Sequence, residues 1–207
     1  MSTLREALVN EIKDLYHAEK QLVRALPKLS KGASSAGLKD ALDRHLEETE
    51  RQVNRLEEVF EHLDERVRAK TCPGMAGIIE EGSEVLQEDL DEMAMDAAII
   101  AAAQRAEHYE IAAYGTAAAW AEALGMSDVA EPLMQTLDEE KAADQKLSAL
   151  AEQGINAAAT SGDNEAGAEQ EDEEEEEESR SSSRSDSRPM SSRSNNGRRR
   201  QAAGRKR

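Results

Sequence analysis

The stretch AEHYEIAAYGTAAAW, residues 106–120, sets Glu107 and Glu110 among alanines, with His108, Tyr109 and Tyr114 close by. Residues three apart on a helix lie about 60° apart around its axis and residues four apart about 40°, so each such pair can turn toward one ligand. Glu107 and Glu110 have the first spacing, and Glu140 and Asp144 the second. Two further groups stand where an apolar residue is expected. Glu19 fills the step between Leu15 and Leu22, and His45, Glu48, Thr49 and Gln52 occupy the face between Leu42 and Leu56. A buried carboxylate without a partner is costly, so carboxylates facing inward from several helices need cations or shared protons. Oxygen-rich sites for two divalent metal ions meet that demand, and carboxylates with an imidazole or amide suit Fe or Mn better than Cu or structural Zn. The competing reading is an ion-pair network fed by Arg24, Arg44, Arg51, Arg55 and Arg105.

The elements that must position these groups follow from apolar spacing. Leu8, Ile12, Leu15, Leu22, Leu26 and Leu29 step by threes and fours after Thr3 and Glu6, a capping-box pair, and the run ends at KGASSAG, residues 31–37. Leu42, Leu46, Val53, Leu56, Phe60 and Leu63 mark a second helix, antiparallel to the first because the link is short. Pro73 and three glycines break the pattern in AKTCPGMAGIIEEG, and residues 78–90 are expected to form a short helix in the middle crossover. A third long helix spans about 92–124 and stops at Gly125; a fourth, capped by Ser127, continues to Gly154. The fold expected is all-α, a ferritin-like four-helix bundle.

Composition bounds the rest. Aromatic residues make up 2% and prolines number four, against a β-sandwich or barrel. There is neither a secretory leader pattern nor an apolar run long enough for a bilayer, so a cytoplasmic protein without membrane association is expected. Residues 161–178 carry 11 acidic and no basic side chains, whereas 179–207 carry 10 Lys or Arg and one Asp. Such blocks lack the apolar surface needed to fold. The bundle is therefore assigned to residues 1–157 and a disordered tail, acidic and then Arg/Ser-rich, to 158–207. Its basic end is expected to give at most weak, non-specific nucleic-acid binding, because it competes with the acidic bundle. His17 and His62 are expected to be exposed, Tyr16, Tyr109 and Tyr114 to pack, and Trp120 and Met93 to lie in the core. Cys72 has no disulfide partner and is expected to be incidental.

The strings DLYHAEKQL (14–22), HLEETERQVNRLE (45–57), AEHYEIAAYGT (106–116) and TLDEEKAADQKL (136–147) closely resemble the YciE/YciF-like bacterial stress-response family. The likeness covers residues 3–154 and implies a ferritin-like bundle with a di-metal carboxylate site. It carries over Glu19, Glu48, Glu107 and Glu140 as ligands, with His45, Gln52, Glu110 and Asp144 completing the set. The chain departs from better-known ferritins and rubrerythrins: Thr49 and Gln52 stand where a Glu-x-x-His is usual in the second helix, and the second histidine is missing.

Two functions of different classes follow. One is a di-iron or di-manganese oxidoreductase acting on O2 or H2O2, with ferroxidase or peroxide-consuming chemistry. The other is a non-enzymatic stress-associated structural or interaction protein with a vestigial or stabilising metal site. A homodimer or larger homo-oligomer is expected in either case.

Overall fold

The computed structural model describes residues 3–161, and the expected disorder of the tail beyond 161 and its basic arm lie outside them. Thr3 caps the first helix, α1 (Leu4–Gly32), through the expected box: the Glu6 amide donates to Thr3 Oγ1 at 3.2 Å and the Thr3 amide to Glu6 Oε2 at 2.8 Å. The second, α2 (Ala36–His62), follows a three-residue link. That link is held by Asp96, whose carboxylate accepts the Ser34 and Ser35 amides at 2.7 Å each.

The crossover helix α3 spans Pro73–Val85, five residues earlier at each end than the sequence pattern indicates. Proline lacks an amide hydrogen and has a fixed φ, which suits the first turn of a helix, so Pro73 starts α3 where a break was expected. The next helix, α4 (Glu92–Ala123), is capped by Asp91 and ends before Gly125, whose φ of 71° makes the turn. The last long helix, α5 (Ser127–Leu150), is not capped by Ser127: Met126 holds the cap position without a side-chain bond.

Beyond α5 a π-helical turn, Ala151–Ile155, bends at Gly154, and residues 156–161 are helical again. The first four tail residues assigned from the sequence, 158–161, are thus helical, and Gly154 is a kink rather than an end. Ile155 supplies the reason, being buried against the core at 8% exposure, while Ala157–Ala159 favour helix.

The long helices form a closed square, α1 packing on α2 and α4, and α5 on the same two; α3 lies across α1 and α4. Alanines at 102, 103, 106, 113, 117, 118 and 121 line the inner face of α4. The core has two apolar halves. One gathers Leu8, Ile12, Leu56, Phe60, Tyr114 and Leu133, and the other Leu22, Leu42, Met75, Ile100 and Leu147. Between them lies a layer of buried polar side chains. Met93 is half-buried and belongs to neither half, and Trp120 packs on the first half from a partly exposed position. No helix among the described residues is long and apolar enough to cross a membrane.

Candidate metal centre

Each helix of the square sends a polar group into the layer between the apolar halves. Glu19 comes from α1, His45, Thr49 and Gln52 from α2, Glu107 and Glu110 from α4, and Glu140 from α5; all are at most 6% exposed. His45, Glu107, Glu110 and Glu140 converge so closely that one ligand atom from each lies within 4.8 Å of the others. His45 Nε2 stands 3.1 Å from Glu107 Oε1 and 3.8 Å from Glu140 Oε2. Gln52 Nε2 donates to Glu140 Oε1 and, at 3.1 Å, to Glu139 Oε2. Tyr114 donates to Glu19 Oε1.

Seven buried atoms in this layer have no hydrogen-bond partner among the described residues: Glu19 Oε2, His45 Nδ1, Gln52 Oε1, Glu107 Oε2, both oxygens of Glu110 and Glu140 Oε2. Natural cores leave few such atoms, and each carries a desolvation cost of about 1–3 kcal/mol. Four of the five arginines that could have neutralised the cluster are engaged elsewhere. Arg44 pairs with Asp40, Arg51 with Glu48, Arg105 with Glu81, and Arg55 with Glu139. Among the described residues, His45 is the one basic side chain that pairs with the buried carboxylates. The donor set therefore fits divalent cations: hard oxygens in excess, one imidazole, and no arginine to compete.

The electrostatics agree with that excess. Burial raises the Glu19 carboxyl to about 7, against the lowering effects of Tyr114 and His45. Burial and then the charges of Glu19, Glu140 and Glu107 hold Glu110 well above the carboxylate range. Glu140 is likewise raised by burial, with His45 opposing and Glu107 adding to the rise. Burial, the largest single influence, pushes the His45 imidazolium down, but the charge and hydrogen bond of Glu107 together with Glu48 and Glu140 outweigh it, and His45 stays well above its ordinary value. Burial and mutual repulsion thus favour the protonated forms of Glu19, Glu110 and Glu140, while the surrounding carboxylates favour the charged form of His45.

Two residues expected as ligands stand apart. Glu48 has a side chain 37% exposed, with Oε2 3.9 Å from His45 Nδ1, and the proximity of His45 lowers its carboxyl despite partial burial. Asp144 is half-buried and turned to the outer side of α4, accepting from Gln104 Nε2 at 2.9 Å and lying 3.3 Å from His108 Nε2. His108 is 70% exposed, as befits a neighbour of Glu107 on the opposite face. Glu139, not singled out in the sequence, takes a two-point bridge from Arg55 at 2.8 and 2.9 Å, which leaves its neighbour Glu140 to the interior.

Cys72 and His17 also differ from expectation. Cys72 is fully buried at the N-cap of α3, with Sγ 3.0 Å from Tyr109 Oη, which in turn donates to Asp14 Oδ2 at 2.8 Å. Burial raises its thiol, so the role is packing and capping. His17 is partly buried beneath it, its Nδ1 accepting the Cys72 amide at 3.2 Å. These contacts join residues over 35 apart in the chain, out of reach of local spacing.

Residues 3–160 match the family described as a domain of unknown function, DUF892. The protein YciF of Escherichia coli strain K12 is 45% identical over 157 residues, spanning 75% of this chain and 95% of YciF. The crystal structure of the E. coli stress protein YciF superposes with a TM-score of 0.73 at 44% identity, covering 75% of this chain and 99% of that one. YcfI from Rhodopseudomonas palustris gives 0.70 at 44% identity, over 71% of this chain and 94% of YcfI.

Proposed function

The chain belongs to the YciF-like DUF892 family, and from that premise we propose that it is a stress-related protein whose bundle holds two divalent ions, Fe or Mn, for oxidation chemistry with O2 or H2O2. The observation that carries this reading is the set of seven partnerless buried atoms contributed by all four helices of the square. His45, Glu107, Glu110 and Glu140 would hold one ion; Glu19, with the remaining oxygens of Glu107 and Glu110, would hold the other. Such a pair of ions, when bound, exchanges electrons with an oxidant at an open position.

The protein's own part is to fix and to exclude. Tyr114 orients Glu19, and Gln52 orients Glu140. The apolar halves on either side keep water from the layer, which strengthens every charge interaction within it. Metal analysis of chelator-stripped protein reloaded with Fe2+ or Mn2+ tests the site, and Fe2+-dependent consumption of O2 or H2O2 tests the chemistry. Two equivalents bound with turnover supports both; binding no tighter than that of a Glu107→Gln variant overturns the reading.

A second reading is favoured by α2, which gives one imidazole and an amide already engaged by Glu139 and Glu140 instead of a Glu-x-x-His. On that reading the ions stabilise a structural or interaction protein; a structural role has been suggested for the relative YcfI. Tight binding without oxidant consumption separates it from the first.

A further inference from the structure

The layer is sealed by the apolar halves above and below, so a cation must reach it from the side. Two cavities touch Glu107. One, between α1, α3 and α4, is lined by apolar groups including Leu22, Ile79, Leu86 and Ala106 and has a volume of about 30 Å³. That is room for a water or two, with little there to replace the water shell of an arriving ion. The other is a groove of about 360 Å³ between α2 and α5, floored by His45 and Glu107, with Asp40, Glu48 and Glu139 along its walls beside Arg44 and Lys146. Resting on the metal-binding reading above, we propose that this groove is the path by which divalent cations enter, and that Glu48 is the carboxylate that receives them first.

The three wall carboxylates are not equivalent, and Asp40 is paired with Arg44 at 3.1 Å. Arg55 grips Glu139 at two points and Gln52 adds a third bond, so its charge is already matched. Glu48 has only a long contact to the exposed Arg51 at 3.8 Å and its approach to His45 at 3.9 Å. His45 is 6% exposed, and its Nδ1 is buried without a hydrogen-bond partner on the side facing Glu48. Its other nitrogen faces Glu107 and Glu140. His45 and Glu107 thus form the boundary between groove and cluster, and a cation held by Glu48 lies beside the His45 imidazole that leads to the buried oxygens. This assigns Glu48 a delivery role in place of the direct ligation expected from the sequence. A cleft lined by one sign of charge raises association rates by about tenfold or more. In this groove Arg44 and Lys146 stand among the carboxylates, so removing the least matched carboxylate forfeits part of that gain without altering the final complex.

The test mixes metal-free full-length protein with Co2+ and follows its absorption to completion, recording rate and end-point separately. Glu48→Gln should load several-fold more slowly, up to about tenfold, to the wild-type end-point. Ala143→Trp, placed in the groove wall, should slow loading further, whereas Glu47→Gln, exposed on α2 outside the groove, should match wild type. Equal rates in wild type and Glu48→Gln overturn the proposal even if the tryptophan variant fails to fold. A lower end-point in Glu48→Gln also overturns it, by making Glu48 a ligand. Wild-type protein that takes up no Co2+ at any time would instead remove the metal-binding reading itself.

Discussion

Asp96 and Glu110 are both carboxylates on α4, both at most 1% exposed, and separated by roughly 21 Å along the helix at 1.5 Å per residue. Asp96 receives two backbone amides at 2.7 Å and closes the turn between α1 and α2. Glu110 receives nothing: both of its oxygens lack a partner, and three other carboxylates act on it. Burial is the same in the two places, and what differs is supply. At Asp96 the fold provides the donors that a negative charge requires; at Glu110 it withholds them, which leaves both oxygens open to the ions proposed above. The partner count, more than depth, separates a structural carboxylate from a binding one.

The largest effect expected from this contrast is at the satisfied end. Asp96→Ala strands two amides and removes two charge-assisted bonds, and should cost about 3 kcal/mol. For a chain of this length that lowers the melting temperature by about 6–12 °C. The loss should be the same with and without metal. A loss that disappears on adding Fe2+ or Mn2+ would place Asp96 in the metal centre and break the contrast.

Next comes metal itself. At a free-ion concentration 100 times Kd, binding to the folded state alone adds about 2.7 kcal/mol. Glu107→Gln should lose most of that increment while keeping its helix content by circular dichroism. A full increment in the variant would remove Glu107 from the ligand set.

The unsatisfied end also has a pH signature. A carboxyl whose folded value is about 7 binds its proton more tightly folded than unfolded, so metal-free stability should fall as pH rises from about 4.5 to about 7. His45, raised in the folded state, acts in the same direction, because its contribution is lost as pH climbs through its folded value. Glu48 and Glu139, held low, exert their opposite effect only below about 4.5. Replacing the repelled carboxylate in Glu110→Leu should therefore stabilise metal-free protein by about 1–2 kcal/mol at pH 7, with the gain shrinking toward pH 5. Denaturant titrations at the two pH values read this directly, and destabilisation at pH 7 would mean that Glu110 has a partner.

These residues were unequally legible in the sequence. Glu19, His45, Gln52, Glu107, Glu110 and Glu140 each interrupt an apolar stripe at helical spacing, and a stripe is local information. Their inward placement and the helices of the square are as the spacing required. Asp144 satisfied the same rule from Glu140 but points outward, because Gln104 and His108 on α4 offer it bonds there. Asp96 gave no signal: its donors are backbone amides more than 60 residues away. The groove at Glu48 exists only because α2 and α5 are neighbours, which no single stripe records.

The smallest effect tests whether Asp96 alone holds its turn. Ser35 is the N-cap of α2, but its Oγ accepts the Leu38 amide at a long 3.4 Å, while its own amide is one of the two bound by Asp96. Replacing the hydroxyl leaves that amide in place, so Ser35→Ala should cost only about 0.5 kcal/mol, the low end for a capping residue. Combined with Asp96→Ala it should reveal coupling, because both groups fix the same three-residue link and neighbours of this kind interact by about 0.5 kcal/mol or more. A double-mutant cycle on metal-free protein measures both quantities. If Ser35→Ala alone matched the loss from Asp96→Ala, the hydroxyl would be the stronger hold on the turn, and Asp96 would no longer serve as the satisfied counterpart of Glu110.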